Sequence, residues 1–329
     1  MWKVEKIINY EENKNWGDGF SHLGFHDYFG NQYGLDYDNN WVGQIDGNNL
    51  LWTIGHNSGF ETNCHINCDI KNPNYLTGLP NGSLIVVSGG NKIVYKIIME
   101  NNKPKDIEVL IDCNKIGLKD VGNCEYDIDG NMWINEITGC RIWKFDKKGN
   151  TLEVLGTGQP GFQREEVSFN EARFNWIYDL RRGPEGNIYI LDSKNYAVRK
   201  INIDKETVEL IAGTGKPGYT GDGGDAKDAT FGGNKESYFD GPWSLSLDEV
   251  GNIYVGDTQN HVVRMITNKG KVYTIAGNIN IIKGRKNRTN ERDLFKINLP
   301  LICSMDYYDR RLYIPEWDGD LIILKKGSK

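Results

Sequence analysis

The chain has 329 residues, 39 of them glycine against roughly 23 at average usage, so turns are frequent. With 38% hydrophobic and 11% aromatic residues it can bury a full core, which excludes disorder, and only 9 prolines exclude a collagen or a proline-rich linker. Thirty-nine basic against 45 acidic residues leave a net charge of −6, which argues against a nucleic-acid footprint over the whole molecule.

In chain order, the N-terminus Met1-Trp2-Lys3-Val4-Glu5-Lys6 lacks an apolar signal region and a small-residue cleavage site. Apolar runs such as Leu84-Ile85-Val86-Val87 are strand-sized, far short of the ~18 residues of a spanning helix. These features predict a cytoplasmic protein without membrane contact, with Cys64, Cys68, Cys113, Cys124, Cys140 and Cys303 reduced. One pattern then returns along the chain. Gly130-Asn131-Met132-Trp133-Ile134-Asn135-Glu136 is echoed by Gly186-Asn187-Ile188-Tyr189-Ile190-Leu191-Asp192 and by Gly251-Asn252-Ile253-Tyr254-Val255-Gly256-Asp257. Weaker copies begin at Gly82 and Arg310, giving spacings of 48, 56, 65 and 59 residues. A period of this size marks repeat architectures.

Each unit has a local grammar. A short apolar strand such as Trp243-Ser244-Leu245-Ser246-Leu247 leads into an acidic turn ending in Gly-Asn, where residues that tolerate positive φ suit a tight hairpin. A second strand follows, then a turn such as Asp257-Thr258-Gln259-Asn260-His261, a third strand Val262 to Ile266, and a fourth, Val272 to Gly277. Four short strands joined by hairpins make one blade of a β-propeller.

The blocks from Gly186 to Gly215 and from Gly251 to Gly277 resemble NHL repeats. The resemblance rests on Gly-Asn-Ile-Tyr-(Ile/Val)-x-Asp-x-x-Asn-(Tyr/His)-x-Val-Arg, on Ile211-Ala212-Gly213-Thr214-Gly215, and on Gly221-Asp222-Gly223-Gly224-Asp225-Ala226. Between 122 and 158 the match departs at Glu136, in place of Asp, and at Thr138-Gly139-Cys140; from 33 to 112 and after 300 it is periodicity alone. The expected fold is all-β: one six-bladed propeller domain over 1–329, with blades near 33–58, 75–111, 122–156, 176–213, 242–277 and 300–325. The last unit is one strand short, and Trp2 to Ile8 has no blade of its own. That segment is therefore expected to supply the missing outer strand and close the ring, pairing edges that would otherwise stay open.

Loops from each outer strand to the next inner strand are long, as from Gly156 to Asn175 and from Gly213 to Gly241, while hairpins on the opposite face are short. Loops beyond ~12–15 residues in a compact domain are usually functional or disordered, so the long-loop face is the candidate functional face. The second-strand ends Glu136, Asp192, Asp257 and Glu316, with Glu125 at an inner-strand start, are expected at the channel mouth there. Glu125, Glu136 and Glu316 are the candidate catalytic residues and, as hard-oxygen donors, candidate metal ligands. Trp176, Tyr178 and Trp243 are candidate ligand-binding residues, together with Asp192 and Asp257. Fixing the turn is the competing role for these aspartates, with Arg141, Arg199 and Arg264 as candidate partners.

Four of the five histidines precede residue 66. His22, His26 and His65 are further candidate ligands, with His22-x-x-x-His26 and Cys64-His65-x-x-Cys68 as the spacings; Gly24 disfavours a helix in the first, and a polar loop is the competing reading of the second. Ca²⁺ or Zn²⁺ is accordingly the candidate cofactor. The basic stretch from Lys283 to Arg292 reads as a solvated loop because no aromatics interleave it. Gly213 to Gly218 is not a phosphate loop, since Pro217 removes a donor and no helix follows. No Gly-x-Ser-x-Gly elbow occurs.

Two functions stay open on this sequence. The first is a monomeric module that binds a small-molecule ligand or a protein partner, and not nucleic acid, through the long-loop face and channel mouth. The second is a metal-assisted hydrolase or a lyase with an acidic site at the mouth. Gluconolactonase and senescence-marker propellers, and the amidating-lyase propellers, are similar at the level of the fold only.

Overall fold

The structure is a computed structural model that describes residues 1–8, 22–46, 49–55, 68–233, 240–280, 291–299, 301–316 and 320–327, with backbone only for 22–24. Six antiparallel sheets follow one another along the chain. The first blade is His22–His26, Gln32–Asp36, Trp41–Asp46 and Asn49–Gly55, and the second is Pro73–Gly78, Leu84–Ser88, Ile93–Glu100 and Lys103–Asp112. The third is Cys124–Tyr126, Met132–Glu136, Arg141–Phe145 and Thr151–Leu155. The fourth is Ile177–Arg182, Ile188–Asp192, Ala197–Asn202 and Thr207–Ala212, with Val167–Ser168 added outside. The fifth is Ser244–Leu247, Ile253–Asp257, Val262–Ile266 and Val272–Gly277. The sixth is Asp306–Tyr308, Arg311–Pro315 and Leu321–Lys326, with Trp2–Ile8 outermost. Each innermost strand touches the next, and the sixth touches the first, so the blades form a ring around a channel.

The first blade corrects the sequence reading. It begins at His22 rather than at residue 33, and Gly34-Leu35-Asp36 lies on its second strand, not its innermost one. His22-x-x-x-His26 is that innermost strand and not a loop. An uncounted copy of the repeat, Gly30-Asn31-Gln32-Tyr33-Gly34-Leu35-Asp36, therefore stands where the other blades carry theirs.

The chemistry of the repeat is visible in its first hairpin. Asp27, Asp127 and Asp248 are buried carboxylates. Oδ1 of Asp127 accepts from the backbone N–H of Asp129 (3.0 Å) and Asn131 (2.8 Å), and Oδ2 accepts from Asn131 Nδ2 and Trp133 Nε1, both at 3.0 Å. Asp248 holds Val250, Asn252 and Tyr254 in the same way, and Asp27 holds Phe29, Asn31 and Tyr33. The Asp, the Asn and the aromatic residue thus form one clamp, and the Gly between them sits at positive φ (Gly130, 78°). The second strands of the second to fifth blades are buried throughout, for example Leu84–Ser88 and Ile188–Asp192, because blades pack on both their faces. This is why that strand carries the most regular apolar signal in the sequence.

A second recurrent device ends the outer strand. Gly213 and Gly277 lie at positive φ, and a Cβ there would come within 2.3 Å of Tyr196 O and 2.2 Å of His261 O. Those two residues are themselves left-handed, so the repeated Ala-Gly lets the outer strand close on the preceding turn.

Closure follows the expectation. Trp2 pairs with Lys326, Val4 with Leu324 and Ile8 with Leu321, antiparallel. A register shift between Val4 and Lys6 turns Glu5 out, where it accepts from Arg311 Nε (2.6 Å) and Lys325 Nζ (3.2 Å). The hydrogen bond from Arg311, above all, holds the Glu5 carboxyl below its ordinary range. Val4 and Ile7 are buried with Leu312, Ile322 and Leu324, and the Trp2 ring meets Tyr254 edge-on at 5.5 Å. Burial of each large apolar side chain is worth roughly 1.5–3 kcal/mol. Ile7→Ala is expected to cost about 2–4 kcal/mol in chemical denaturation. Deleting residues 1–8 should lower the melting midpoint further and produce concentration-dependent association through the bared edge of Leu321–Lys326. An unchanged midpoint and a monodisperse truncated protein would show that this strand does not close the ring.

Candidate functional site

From the second blade to the fifth, the residue ending the second strand has one shared task. Asp192 accepts from Asn175 N (2.7 Å), Asn195 Nδ2 (2.8 Å) and Arg199 Nε (2.8 Å). Glu136 accepts from Lys119 N (2.7 Å), Arg141 Nε (3.0 Å) and Trp143 Nε1 (3.2 Å). Asp257 accepts from Gly232 N (2.8 Å) and Asn260 Nδ2 (2.9 Å), and Ser88 takes Lys71 N in the second blade. Each fastens the incoming loop to the start of its own blade. Trp143 stands where the fourth and fifth blades have Arg199 and Arg264, and the longer Glu136 reaches Arg141 instead. Glu316 is buried, with its backbone N–H donating to Asp320 O and a bridge to Ile302. Glu136, Asp192, Asp257 and Glu316 do not line the cavity at the channel mouth.

The arginines extend this fastening to the long loops. Arg199 lies over Phe162 at 5.2 Å and donates to Gln163 O, tying the loop from Gly156 to Asn175. Arg264 lies between Tyr219 and Phe231, at 5.1 and 5.0 Å, and donates to Thr220 O, Thr230 O and Asp222 Oδ1. The acidic Gly221-Asp222-Gly223-Gly224-Asp225 stretch is thereby paired with a side chain of the protein itself. Because Arg264 is directed to Asp222, it does not reach Asp257 as Arg199 reaches Asp192. Burial pushes Asp257 up to about 6, and the Asn260 and Gly232 donors offset only part of that.

The mouth itself holds a cavity of 390 Å³ to which all six blades or the segments entering them contribute. Its walls are aromatic: Phe25, Tyr37, Tyr75, Trp176, Tyr178 and Trp243. Tyr178 and Trp243 stack at 5.7 Å and 24°. Trp176 adopts φ 61°, a left-handed conformation that costs a bulky residue roughly 1–3 kcal/mol. Its carbonyl accepts from Ser193 N, and Lys194 Nζ lies 3.9 Å from its ring centre. Trp176, Tyr178 and Trp243, singled out on sequence, are thus brought together.

The floor carries groups that the sequence reading passed over. Asp179 Oδ1 accepts from Arg181 Nη1 (2.6 Å) and Asn123 Nδ2 (2.5 Å), and its Oδ2 accepts from Leu245 N (2.8 Å). Arg181 Nη1 also donates to Leu180 O, and its guanidinium lies 4.6 Å from the Tyr75 ring. Tyr75 donates its hydroxyl to Glu125 Oε1 (2.9 Å), which puts Glu125 immediately behind the wall. Desolvation raises the carboxyl pKa of both Asp179 and Glu125, although Arg181 pulls each down. Desolvation also works against the Arg181 charge but is outweighed by Asp179, Tyr75 and Glu125, which leave it firmly protonated. The missed signal was Asp179 and Arg181 two apart on an innermost strand, on one side, where a packed blade would carry apolar residues.

The other candidates lie apart. The His26 ring accepts or donates at Asp306 Oδ2 (2.7 Å) and stacks on Tyr308 at 4.5 Å, joining the first blade to the sixth. His22 lies on the same strand, and His65 falls outside the described residues. Among the described residues, no three His, Cys, Asp or Glu side chains come together as a metal site.

Ring and mouth define the class: the protein is a six-bladed β-propeller, and its repeats resemble NHL repeats. No protein-family model matches the chain. A stretch of 149 residues is 30% identical to NHL repeat-containing protein 2 of Gallus gallus, covering 43% of this chain and 18% of that protein. The matched stretches span less than a fifth of the length of the curated relatives. Among solved structures, the chain is similar to a virginiamycin B lyase from Staphylococcus aureus (TM-score 0.57, 10% identity, 99% of this chain and 100% of that one). It is also similar to a gluconolactonase-like protein (TM-score 0.57, 13% identity, 99% and 97%). At these identities the likeness is one of fold.

Asp257 yields a pH prediction. Its folded pKa of about 6 exceeds the ordinary value, so the folded state holds a proton that the unfolded state has released. Its contribution to stability is full below about pH 4 and is lost as pH rises through about 6, a fall of about 3 kcal/mol. Asp257→Asn is expected to flatten this part of the stability curve in urea titrations between pH 4 and 7. An unaltered slope would place the Asp257 pKa in the ordinary range.

Proposed function

We propose that the protein is a binding module whose channel-mouth cavity receives a small molecule. The carrying observation is the 390 Å³ cavity with six aromatic side chains above a buried Asp179–Arg181 pair. A concave, mostly apolar site with a few convergent polar groups is the usual form of a ligand pocket. The strained Trp176 backbone supports the same reading, since strain is kept where the surroundings hold it for a purpose. Among the described residues no helix is long and apolar enough to cross a membrane.

A second reading has one observation of its own. Glu125 has a raised pKa and is linked through the Tyr75 hydroxyl to the cavity wall, as a general acid would be. The structural neighbours include proteins described as a lyase and as gluconolactonase-like, and on this second reading the propeller is a hydrolase or lyase acting through that pair.

The test is a thermal-shift screen of uncharged and charged metabolites at millimolar concentration, on the wild type and on Tyr178→Ala and Trp243→Ala. At least one compound is expected to raise the wild-type midpoint and to lose its effect in both variants. Turnover of that compound, abolished by Glu125→Gln, would select the second reading. Stabilising compounds that ignore both substitutions would exclude the mouth as the site.

A further inference from the structure

The cavity also carries information about the charge of what it binds, and this inference rests on the binding reading above. Arg181 and Asp179 are 7% and 2% exposed, and they cancel each other at 2.6 Å on the floor. Glu125 lies behind Tyr75, and Asp120 at the rim accepts from the Thr138 backbone and hydroxyl. An anion drawn to Arg181 would be pressed against Asp179 and Glu125. A cation drawn to the carboxylates would meet Arg181. On the floor itself the paired charges cancel, so neither sign gains there what it loses in desolvation.

Two polar residues line this space with capacity left. Among the described residues, hydrogen bonds engage only Nη1 of the Arg181 guanidinium, which has five N–H donors in all. Ser304 lines the cavity at 6% exposure, and its Oγ has no hydrogen-bond partner among the described residues. A buried hydroxyl without a partner calls for an explanation, and a ligand atom supplies one. The paired rings of Tyr178 and Trp243 offer a flat face.

We infer that the mouth binds an uncharged, flat-ringed ligand whose hydrogen-bond acceptor meets Arg181 and whose polar edge meets Ser304. The probes are three molecules of one shape: benzamide, uncharged; benzoate, an anion; and benzamidine, a cation. They are titrated into the intact protein at neutral pH and followed by tryptophan fluorescence, with Trp176→Phe and Trp243→Phe assigning the signal to the mouth. Benzamide is expected to bind at least about tenfold more tightly than either charged analogue, because each of those must bury a charge that the site does not match. Ser304→Ala is expected to weaken benzamide several-fold while leaving the thermal midpoint unchanged or raised, as befits removal of an unpartnered hydroxyl. Benzoate or benzamidine binding as tightly as benzamide would overturn the inference and leave the binding site standing. Benzamide binding untouched by Ser304→Ala would overturn the role of Ser304. Failure of all three to perturb either tryptophan at millimolar concentration would overturn both the inference and the binding reading.

Discussion

The pairing of Trp2–Ile8 with Leu321–Lys326 is the constraint on which the rest depends. The last blade reaches its full four strands only with a strand from the other end of the chain, which also joins the first and last parts of the ring. The cavity is downstream of that closure. Its lining runs from Phe25 in the first blade to Ser304 at the entry to the sixth, so no smaller set of blades encloses it. The His26–Asp306 contact, stacked on Tyr308, ties the same seam on the channel side. An outer strand and an inner hydrogen bond therefore close one joint from both sides.

Within the ring, carboxylates act mainly as local fasteners. Asp27, Asp127 and Asp248 fold the inner hairpins, while Glu136, Asp192 and Asp257 bind the loops that enter each blade. A propeller of this kind needs many such bonds, because its long connections must return to the start of each blade with little strand pairing of their own. The same residue types that suggest a metal site in the sequence thus serve the backbone. Asp179 differs in that it also meets a cationic side chain at the channel floor, where a ligand has access.

Much of this was legible in the sequence and some was not. The second-strand repeat marked the blades from the second onward, because that strand is buried on both faces in the central blades and so is apolar up to the polar residue that ends it. The first blade escaped because Gln32 and Gly34 interrupt the apolar run, although the clamp residues Asp27, Gly30, Asn31 and Tyr33 were all present. Its innermost strand, His22–His26, went uncounted because Gly24 and two histidines lack strand character, and only pairing with Gln32–Asp36 settles it. The aromatic wall was legible because Trp176, Tyr178 and Trp243 stand at the inner-strand starts. The Asp179–Arg181 floor was not, since a charged residue on a short strand reads as exposed unless its neighbours across the channel are known. Glu136 departed from the repeat for a structural reason: its extra methylene reaches Arg141 where Trp143 has replaced the usual arginine.

The central claim is that the mouth, and not the hairpin face opposite, is where this propeller meets its ligand. A crystal structure of the protein with benzamide tests it most directly. The account predicts the ring against Tyr178 and Trp243, with the amide oxygen toward Arg181. Benzamide seated on the opposite face, among Tyr28, Ile128 and Arg182, with the mouth holding none, would contradict it.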